Sequence, residues 1–219
     1  MRRTGWRPYR RVPLPTPSPW TLWREAEFCV VDLETTGLDL RRDEVISFGA
    51  AIVRHARIPC GQVVYRRVRP TRPSSAAAMT VHGLRGVDLA DAPPIDDIVD
   101  EIVELLTGRV LVAHAAWVER AFLDRALRPR GRRLGRMVID TAALLRACRL
   151  AGTGREPNLE TAANRLGLPV HTPHHALGDA FTTAELLLAL ATRLERTAGG
   201  RPLPCTVGDL YAVSQHHRT

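Results

Sequence analysis

The sequence contains no lysine, because all 31 of its basic residues are arginine. It also lacks any apolar run close to the ~20 residues that a membrane helix requires, so we expect no membrane partner. Its four cysteines form no C-x-x-C pair and no secretory leader precedes them, which argues against an exported, disulfide-stapled domain. Together these absences predict a cytoplasmic protein whose cysteines stay reduced.

The positive charge is unevenly distributed along the chain. The net charge is +8, and residues 1–24 alone hold six arginines and no acid. Five prolines between Pro8 and Pro19 oppose a helix there, which predicts a disordered basic tail over residues 1–24. Because guanidinium groups fit phosphate and tryptophan stacks on bases, this tail either binds nucleic acid or is an extension without a role.

Residues 25–196 have the patterning of a single α/β domain. Three short apolar runs predict an antiparallel meander of strands, and apolar residues at three- and four-residue spacing predict an amphipathic helix over 95–106. Alternating strands and helices follow, so we expect a mixed five-stranded sheet flanked by helices. Residues 197–219 are predicted to be a C-terminal tail with a helix-opening pattern at 206–209. The three apolar runs span residues 28–31, 45–53 and 62–68.

A first acidic motif, Asp32-Leu33-Glu34-Thr35-Thr36-Gly37, follows the first apolar run. Strand alternation places Asp32 and Glu34 on the same face, roughly 6–7 Å apart. Two carboxylates on one buried face repel each other unless a cation lies between them. The alternative is a pair of surface acids at a strand end.

Two further motifs carry titratable groups farther along the chain. Glu119 lies on a helix that starts just after a buried strand, where an isolated acid is usually solvated. Asp179 lies in the first turn of an apolar helix, where an acid commonly favours the helix dipole, and His174 lies just before that helix. Taken singly, none of these residues indicates a function.

Taken together, the three motifs resemble the DEDDh branch of the DnaQ-like 3′→5′ exonucleases, the superfamily of the proofreading subunit of bacterial replicative polymerase. The order is D-x-E-T-T-G, then a strand–helix acid, then H-x-A-x-x-D-A, and the resemblance covers about Glu25 to Leu194. Smaller signatures are also similar to the family. The resemblance implies an RNase H-like fold and removal of nucleotides from a 3′ end. The smaller signatures are Val81–Leu84, Ile139–Thr141 and Asn158–Leu168.

The resemblance also implies roles for individual residues. Two divalent cations, Mg²⁺ or Mn²⁺, are expected, with the carboxylates of Asp32, Glu34 and Asp179 holding one and Asp32 also touching the second. Glu119 is expected to act through a water molecule, and His174 to deprotonate the attacking water. The residues expected to contact the terminal nucleotide are Thr35, Thr36, His82 and Val118.

The second motif departs from the family pattern H-N-A-x-F-D. Here Ala115 replaces the asparagine, Val118 the phenylalanine and Glu119 the aspartate. A glutamate reaches roughly 1.5 Å farther than an aspartate, whereas Mg²⁺ tolerates little deviation from octahedral geometry. This departure predicts reduced activity or a preference for Mn²⁺.

Two other interpretations remain beside the nuclease. One is a catalytically weakened, exonuclease-like protein that grips nucleic-acid 3′ ends or a DNA polymerase. The other is a zinc site built from His171, His174 and His175 with Asp179, which leaves the first acidic motif unexplained. The E-T-T-G form of the first motif favours DNA over RNA as the substrate, and a DNA polymerase is a candidate partner.

Overall fold

A mixed five-stranded sheet forms the centre of the computed structural model, which describes residues 11–151, 157–197 and 204–216. The strand order is β4-β3-β2-β5-β7, with β2, β3 and β4 antiparallel and β2, β5 and β7 parallel. A separate short parallel pair joins β1 to β6. The predicted mixed five-stranded sheet is therefore confirmed. The strands are β1 (Val12–Pro13), β2 (Glu27–Thr35), β3 (Val45–Arg54), β4 (Val63–Arg67), β5 (Val110–Ala113), β6 (Arg132–Arg133) and β7 (Val138–Asp140).

Helices cover both faces of this sheet. The amphipathic pattern of 95–106 forms α3, which buries Ile98, Val99, Ile102 and Leu106. Within the described ranges, no helix combines the length and the apolar character needed to cross a membrane. The helices are α1 (Ala76–His82), α2 (Gly86–Leu89), α3 (Ile95–Leu106), α4 (Trp117–Leu127), α5 (Thr141–Ala147), α6 (Leu159–Arg165), α7 (Ala176–Thr197) and α8 (Val207–His216), with a 3-10 turn over Arg128–Arg130.

The alternation of β2 divides the core into two layers. Cys29, Val31 and Leu33 pack in the layer that contains the buried faces of α3 and α4. Phe28 and Val30 pack in the opposite layer, with α5, α7 and α8. Because side chains alternate along a strand, the next two residues on the face of Phe28 and Val30 are Asp32 and Glu34, which are acidic rather than apolar. The polar site therefore begins where the apolar face of β2 ends.

The segment 11–24 packs on the domain, which differs from the disordered tail that the sequence predicts. Leu14 and Trp23 are almost fully buried, and burying a leucine stabilises by ~1.5–3 kcal/mol, which offsets part of the ordering entropy. The backbone N–H of Trp23 donates to the carbonyl of Cys205 over 3.0 Å. The rest of that predicted tail, residues 1–10, lies outside the described residues.

The C-terminal segment also packs on the domain. The helix-opening pattern at 206–209 starts α8, where the backbone N–H of Thr206 and the carboxylate of Asp209 lie 2.8 Å apart. Farther along α8, the buried hydroxyl of Ser214 accepts from the backbone N–H of Asp140 over 2.9 Å. Residues 198–203 and 217–219 of the predicted tail lie outside the described residues.

Helix α1 was not expected from the sequence, and its composition explains why. None of its residues is buried, so it has no apolar face whose spacing could reveal it. Its ends are instead fixed locally. The hydroxyl of Ser75 accepts from the backbone N–H of Ala78, and Gly83 ends the helix with a φ of 70°.

Candidate active site

Two carboxylates at the end of the central strand begin the site. Asp32 and Glu34 lie two residues apart in β2 and are both partly buried. Their side chains continue the face that Phe28 and Val30 present to the layer containing α7. The structure thus brings this pair together as the strand pattern predicts.

Gly49 of β3, the cross-strand partner of Asp32, allows α7 to approach the sheet closely. A Cβ atom at this position would lie 2.2 Å from the backbone carbonyl of Ala176, at the start of α7. The approach sets Asp179 against β2, where one carboxylate oxygen each of Asp32, Glu34 and Asp179 lies within 4.8 Å of the others. Sequence analysis missed Gly49, although a glycine inside an apolar strand often signals the close approach of another backbone.

His174 lies directly before α7 and is tied to the acidic cluster through its backbone. Its φ of 58° is in the left-handed region, and its N–H donates to Oδ2 of Asp179 over 2.9 Å. The imidazole is 52% exposed, and its Nε2 lies 3.6 Å from Oε1 of Glu160. Asp179 therefore fixes the backbone of His174 beside the cluster while the ring stays accessible.

Glu119 occupies the first turn of α4 and is only 4% exposed. Its Oε2 atom is buried and has no hydrogen-bond partner among the described residues. Burial is the main cause that raises the pKa of this carboxyl to about 8, and the charges of Asp140 and Glu34 raise it further. Glu119 is not one of the three clustered acids, but its charge contributes to the raised pKa of Asp32.

The clustered carboxyl groups all resist ionisation in the absence of a cation. Burial, followed by the charges of Glu119, Glu34 and Asp179, raises the pKa of Asp32 well above its usual value. Burial and then the charge of Asp179 raise the pKa of Glu34 to about 8. Burial also raises the pKa of Asp179 to about 6, although the hydrogen bond from His174 opposes the increase. A bound cation would reverse these shifts, because it favours the ionised forms.

This donor set fits hard divalent cations. Asp32, Glu34 and Asp179 offer clustered carboxylate oxygens, the ligands that Mg²⁺ and Mn²⁺ prefer. The unpaired buried oxygen of Glu119 adds an acceptor that no described protein group satisfies. A bound cation would relieve the repulsion among the three carboxylates and would provide a positive charge near the unsatisfied oxygen of Glu119.

The histidines near α7 do not converge on a common point. One ring nitrogen of His171 lies 3.2 Å from the carboxylate of Glu185, and His175 stacks on Tyr65 with ring centroids 4.4 Å apart. His174 faces a different acid, on α6. Among the described residues, only the trio from β2 and α7 is grouped closely enough to hold an ion, so the zinc interpretation has no geometric support.

A cavity of about 460 Å³ opens beside the acidic cluster. Glu34 and Glu119 lie in its wall, so it reaches the carboxylates directly. Most of the remaining wall is apolar and comes from β2, the turn after it, α1 and α4. Trp117, which is 47% exposed, is not part of the wall. The other lining residues are Leu33, Thr35, Gly37, Leu38, Ser75, Ala77, Ala78, Val81, His82 and Val118.

Three of the four residues expected to contact a nucleotide line this cavity, and Thr36 does not. The hydroxyl of Thr36 donates to Asp43 over 2.8 Å and is fully buried, so it stabilises the turn after β2. Nδ1 of His82 accepts from the backbone N–H of Leu84 over 3.0 Å, which leaves the proton of the neutral ring on Nε2. That Nε2 is buried. Burial lowers the pKa of His82, and a hydrogen bond to the backbone of Thr35 opposes the decrease.

The second motif begins with two residues that act structurally. The ring of His114 lies between the hydroxyl of Thr141, 2.9 Å from Nδ1, and the carbonyl of Pro157, 2.6 Å from Nε2. Ala115 has a φ of 56°, a region that asparagine tolerates better than alanine, and its N–H donates to Asp140 over 3.0 Å. An asparagine at this position would adopt this backbone conformation more readily than Ala115 does.

The site is thus an acidic cluster at the end of the central strand of a mixed sheet, beside an open cavity, with the donor set of a divalent-cation site. The sequence model of the exonuclease family, RNase_T, matches residues 29–187, so this chain belongs to that family. A DNA polymerase III subunit epsilon-like protein of Rhodobacter capsulatus is 34% identical over 171 residues, covering 77% of this chain and 24% of the relative. A PolC-type DNA polymerase III of Caldanaerobacter subterraneus is 30% identical, covering 78% of this chain and 12% of the relative. The chain thus spans about a quarter or less of the length of these relatives.

Solved structures share the same fold. Exonuclease X in complex with 5′-overhanging duplex DNA superposes with a TM-score of 0.64 at 24% identity, covering 85% of this chain and 99% of that one. Exonuclease I of E. coli in complex with a dT13 oligonucleotide superposes with a TM-score of 0.68 at 15% identity, covering 79% of this chain and 42% of that one. The expected RNase H-like fold is confirmed.

Proposed function

We propose that this protein is a 3′→5′ exonuclease that hydrolyses phosphodiester bonds at the end of a DNA strand and releases nucleoside 5′-monophosphates. The observation that carries the proposal is the trio Asp32, Glu34 and Asp179, with carboxylate oxygens within 4.8 Å of one another beside an open cavity. Relatives named as DNA polymerase III proteins support DNA as the substrate and a DNA polymerase as a partner. Free cysteines at all four positions agree with a cytoplasmic location.

The carboxylates of Asp32, Glu34 and Asp179 would hold one divalent cation, Mg²⁺ or Mn²⁺, and Asp32 would also contact a second, with Glu119 acting through a water molecule. When bound, such cations supply positive charge that stabilises the phosphodiester and its departing oxygen. The protein contributes the geometry: β2 fixes two carboxylates at a two-residue interval and Gly49 lets α7 deliver the third.

His174 would accept the proton of the attacking water. An imidazole serves as a base at neutral pH, and a base must reach the water from the open side of the site. The half-exposed ring of His174 meets this requirement, since its backbone is held by Asp179 while its side chain remains accessible.

The cavity would receive the terminal nucleotide. Val81, Leu38 and Val118 give it an apolar wall against which a base can pack. The Nε2–H of His82 would donate to a sugar hydroxyl or phosphate oxygen, and Thr35 lines the same wall. Because His82 would donate as a neutral ring, its lowered pKa supports this role.

The direct test uses 5′-labelled single-stranded DNA and the equivalent RNA, each with Mg²⁺ or Mn²⁺. We expect a ladder shortened from the 3′ end on DNA, abolished by EDTA and by Asp32→Ala/Glu34→Ala. A matched control, Asp97→Ala/Glu104→Ala, removes one aspartate and one glutamate from the exposed face of α3 and should keep full activity. Cleavage that survives the Asp32/Glu34 substitution would refute the proposal.

A second candidate function is an exonuclease-like protein that grips DNA 3′ ends and cuts poorly. The observation that favours it is Glu119, a buried glutamate outside the acidic trio at the position where the family pattern has aspartate. Tight binding of a 3′-ended strand without any product in either metal would select this candidate.

A further inference from the structure

A second concavity lies beside the active-site cavity. It is a groove of about 370 Å³ whose wall includes four arginines and two acids. No residue of this groove belongs to the catalytic trio or to the wall of the cavity. The charged lining residues are Arg41, Arg42, Arg69, Arg125, Glu44 and Asp96. We call this surface the arginine groove.

Three segments of the chain run from the cavity into the arginine groove. Residues 37–45 supply Gly37 to the cavity and Arg41 to the groove. Residues 68–78 likewise supply Ser75 to the cavity and Arg69 to the groove. On α4, Glu119 faces the cavity and Arg125 faces the groove, six residues or ~9 Å farther along the helix axis. A stacked nucleic-acid strand rises ~3.4 Å per nucleotide, so the spacing of ~9 Å between these two positions corresponds to roughly two to three nucleotides.

The acids of the groove are already engaged by protein groups. Both carboxylate oxygens of Glu44 lie 2.6 Å from Thr71, one from its backbone N–H and one from its hydroxyl. Asp96 lies 4.0 Å from the guanidinium of Arg130. Glu44 is thus held by Thr71 and Asp96 lies near an arginine outside the groove, and four arginines against two acids leave the groove with a positive excess.

The arginines differ in how free they are to meet a ligand. The guanidinium of Arg125 donates to the carbonyls of Leu40 and Asp43, so it shapes the turn after β2. In contrast, Arg41 and Arg42 are exposed, and within the described residues the only ion pair of either is a loose 3.9 Å contact from Arg42 to Asp39. Two guanidinium groups without strong partners are thus available beside the site.

We propose that the arginine groove binds the phosphate backbone of the substrate strand two to three nucleotides on the 5′ side of the terminal nucleotide. The inference rests on the proposed exonuclease function and names its substrate class: a strand of several nucleotides rather than a dinucleotide. Guanidinium–phosphate contacts carry no base information, so the groove adds affinity independently of sequence.

The chain offers a matched pair of variants for the test. Arg41→Ala/Arg42→Ala removes two exposed arginines from the connection that precedes β3. Arg54→Ala/Arg57→Ala removes two exposed arginines from the turn at the far end of β3, about 30 Å away along a ten-residue strand. Both variants lose the same charge, so only position differs.

The measurement is kcat/KM on a 12-nucleotide oligothymidylate, divided by kcat/KM on the p-nitrophenyl ester of thymidine 5′-monophosphate. The ester has no upstream phosphate, so it reports the active site alone. For Arg41→Ala/Arg42→Ala we expect this ratio to fall at least tenfold. The slope of log kcat/KM on the oligonucleotide against log salt should become shallower by about 0.7 for each lost contact. Arg54→Ala/Arg57→Ala should keep both the wild-type ratio and the wild-type slope.

The outcomes separate this inference from the proposed function. Equal ratios and equal salt slopes in the two double variants would overturn the groove proposal while leaving the nuclease intact. If the wild-type protein hydrolyses neither the ester nor the oligonucleotide in either metal, the proposed function itself fails.

Discussion

The two halves of the active site differ in how complete they are without a ligand. In the β2–α7 half, Asp32, Glu34 and Asp179 come together through one close backbone approach at Gly49. In the β5–α4 half, Ala115 has an unfavourable backbone conformation and Glu119 keeps a buried oxygen without a described partner. The first half is therefore assembled by packing alone, whereas the second half keeps backbone strain and an unsatisfied acceptor.

Among substitutions that leave the acidic residues in place, the largest expected effect comes from Gly49→Ala, which displaces α7 in the β2–α7 half. The new Cβ would meet the backbone of α7 and force the helix outward. Since a misplacement of ~1 Å can cost on the order of 10²-fold in rate, we expect kcat to fall about 100-fold, and overpacking to cost ~1–3 kcal/mol of stability. Gly61→Ala, at a position with nothing within 4 Å of the added atom, is the control. Turnover like that of wild type in Gly49→Ala would contradict this account.

A smaller effect is expected from Glu119→Asp in the β5–α4 half. Shortening the side chain restores the reach of the family residue, and residues that act on a metal through water typically alter activity by about tenfold. We therefore expect the Mg²⁺-dependent rate to rise about tenfold, and the preference for Mn²⁺ to narrow. Equal wild-type rates in Mg²⁺ and Mn²⁺, with no gain from Glu119→Asp, would count against the idea.

The pH dependence of stability should distinguish the metal-free acidic cluster from the metal-bound one. Burial raises the pKa of Glu34 in the folded protein from its usual 4.5 to about 8, so the folded protein binds more protons than the unfolded chain between these pH values. Stability of the metal-free protein should therefore fall as pH rises from about 5 to 8, and added Mg²⁺ or Mn²⁺ should reduce that fall. In thermal melts with EDTA, the melting temperature should change less with pH for Glu34→Gln than for the wild-type protein. Parallel profiles would show that the raised pKa of Glu34 does not contribute to the pH dependence of stability.

The smallest expected effect concerns Ala115, whose φ is 56°. Replacement by glycine removes the clash of Cβ in the left-handed region, although it raises the entropy of the unfolded chain. We expect Ala115→Gly to raise the free energy of unfolding by ~0.5–1 kcal/mol. The adjacent Ala116 has a φ of −55°, so Ala116→Gly should lower it by a similar amount. Urea titrations that show the same sign for both variants would be inconsistent with strain at Ala115.

The sequence predicted most of the sheet and the order of the acidic motifs, because both depend on short-range patterns. The alternation of β2 and the three- and four-residue spacing of α3 leave a direct trace in the order of apolar and polar residues. Helix α1 left no such trace because it buries nothing. The packing of residues 11–24 was missed because it depends on Leu14 and Trp23, two isolated anchors without periodicity.

The sequence by itself determined which chemical groups are present and which lie on a common strand face or helix turn, since these relations span only a few residues. The tertiary structure decided which of those groups meet. The absent side chain at Gly49 became meaningful only once α7 crossed β3, and Arg41 joined Arg69 in one groove only once two loops were packed side by side. The hydrogen bond from Thr36 to Asp43 holds Thr36 in the turn after β2. The packing of α4 on the domain buries Glu119. Such contacts arise between residues distant in the chain, where packing rather than local periodicity sets position.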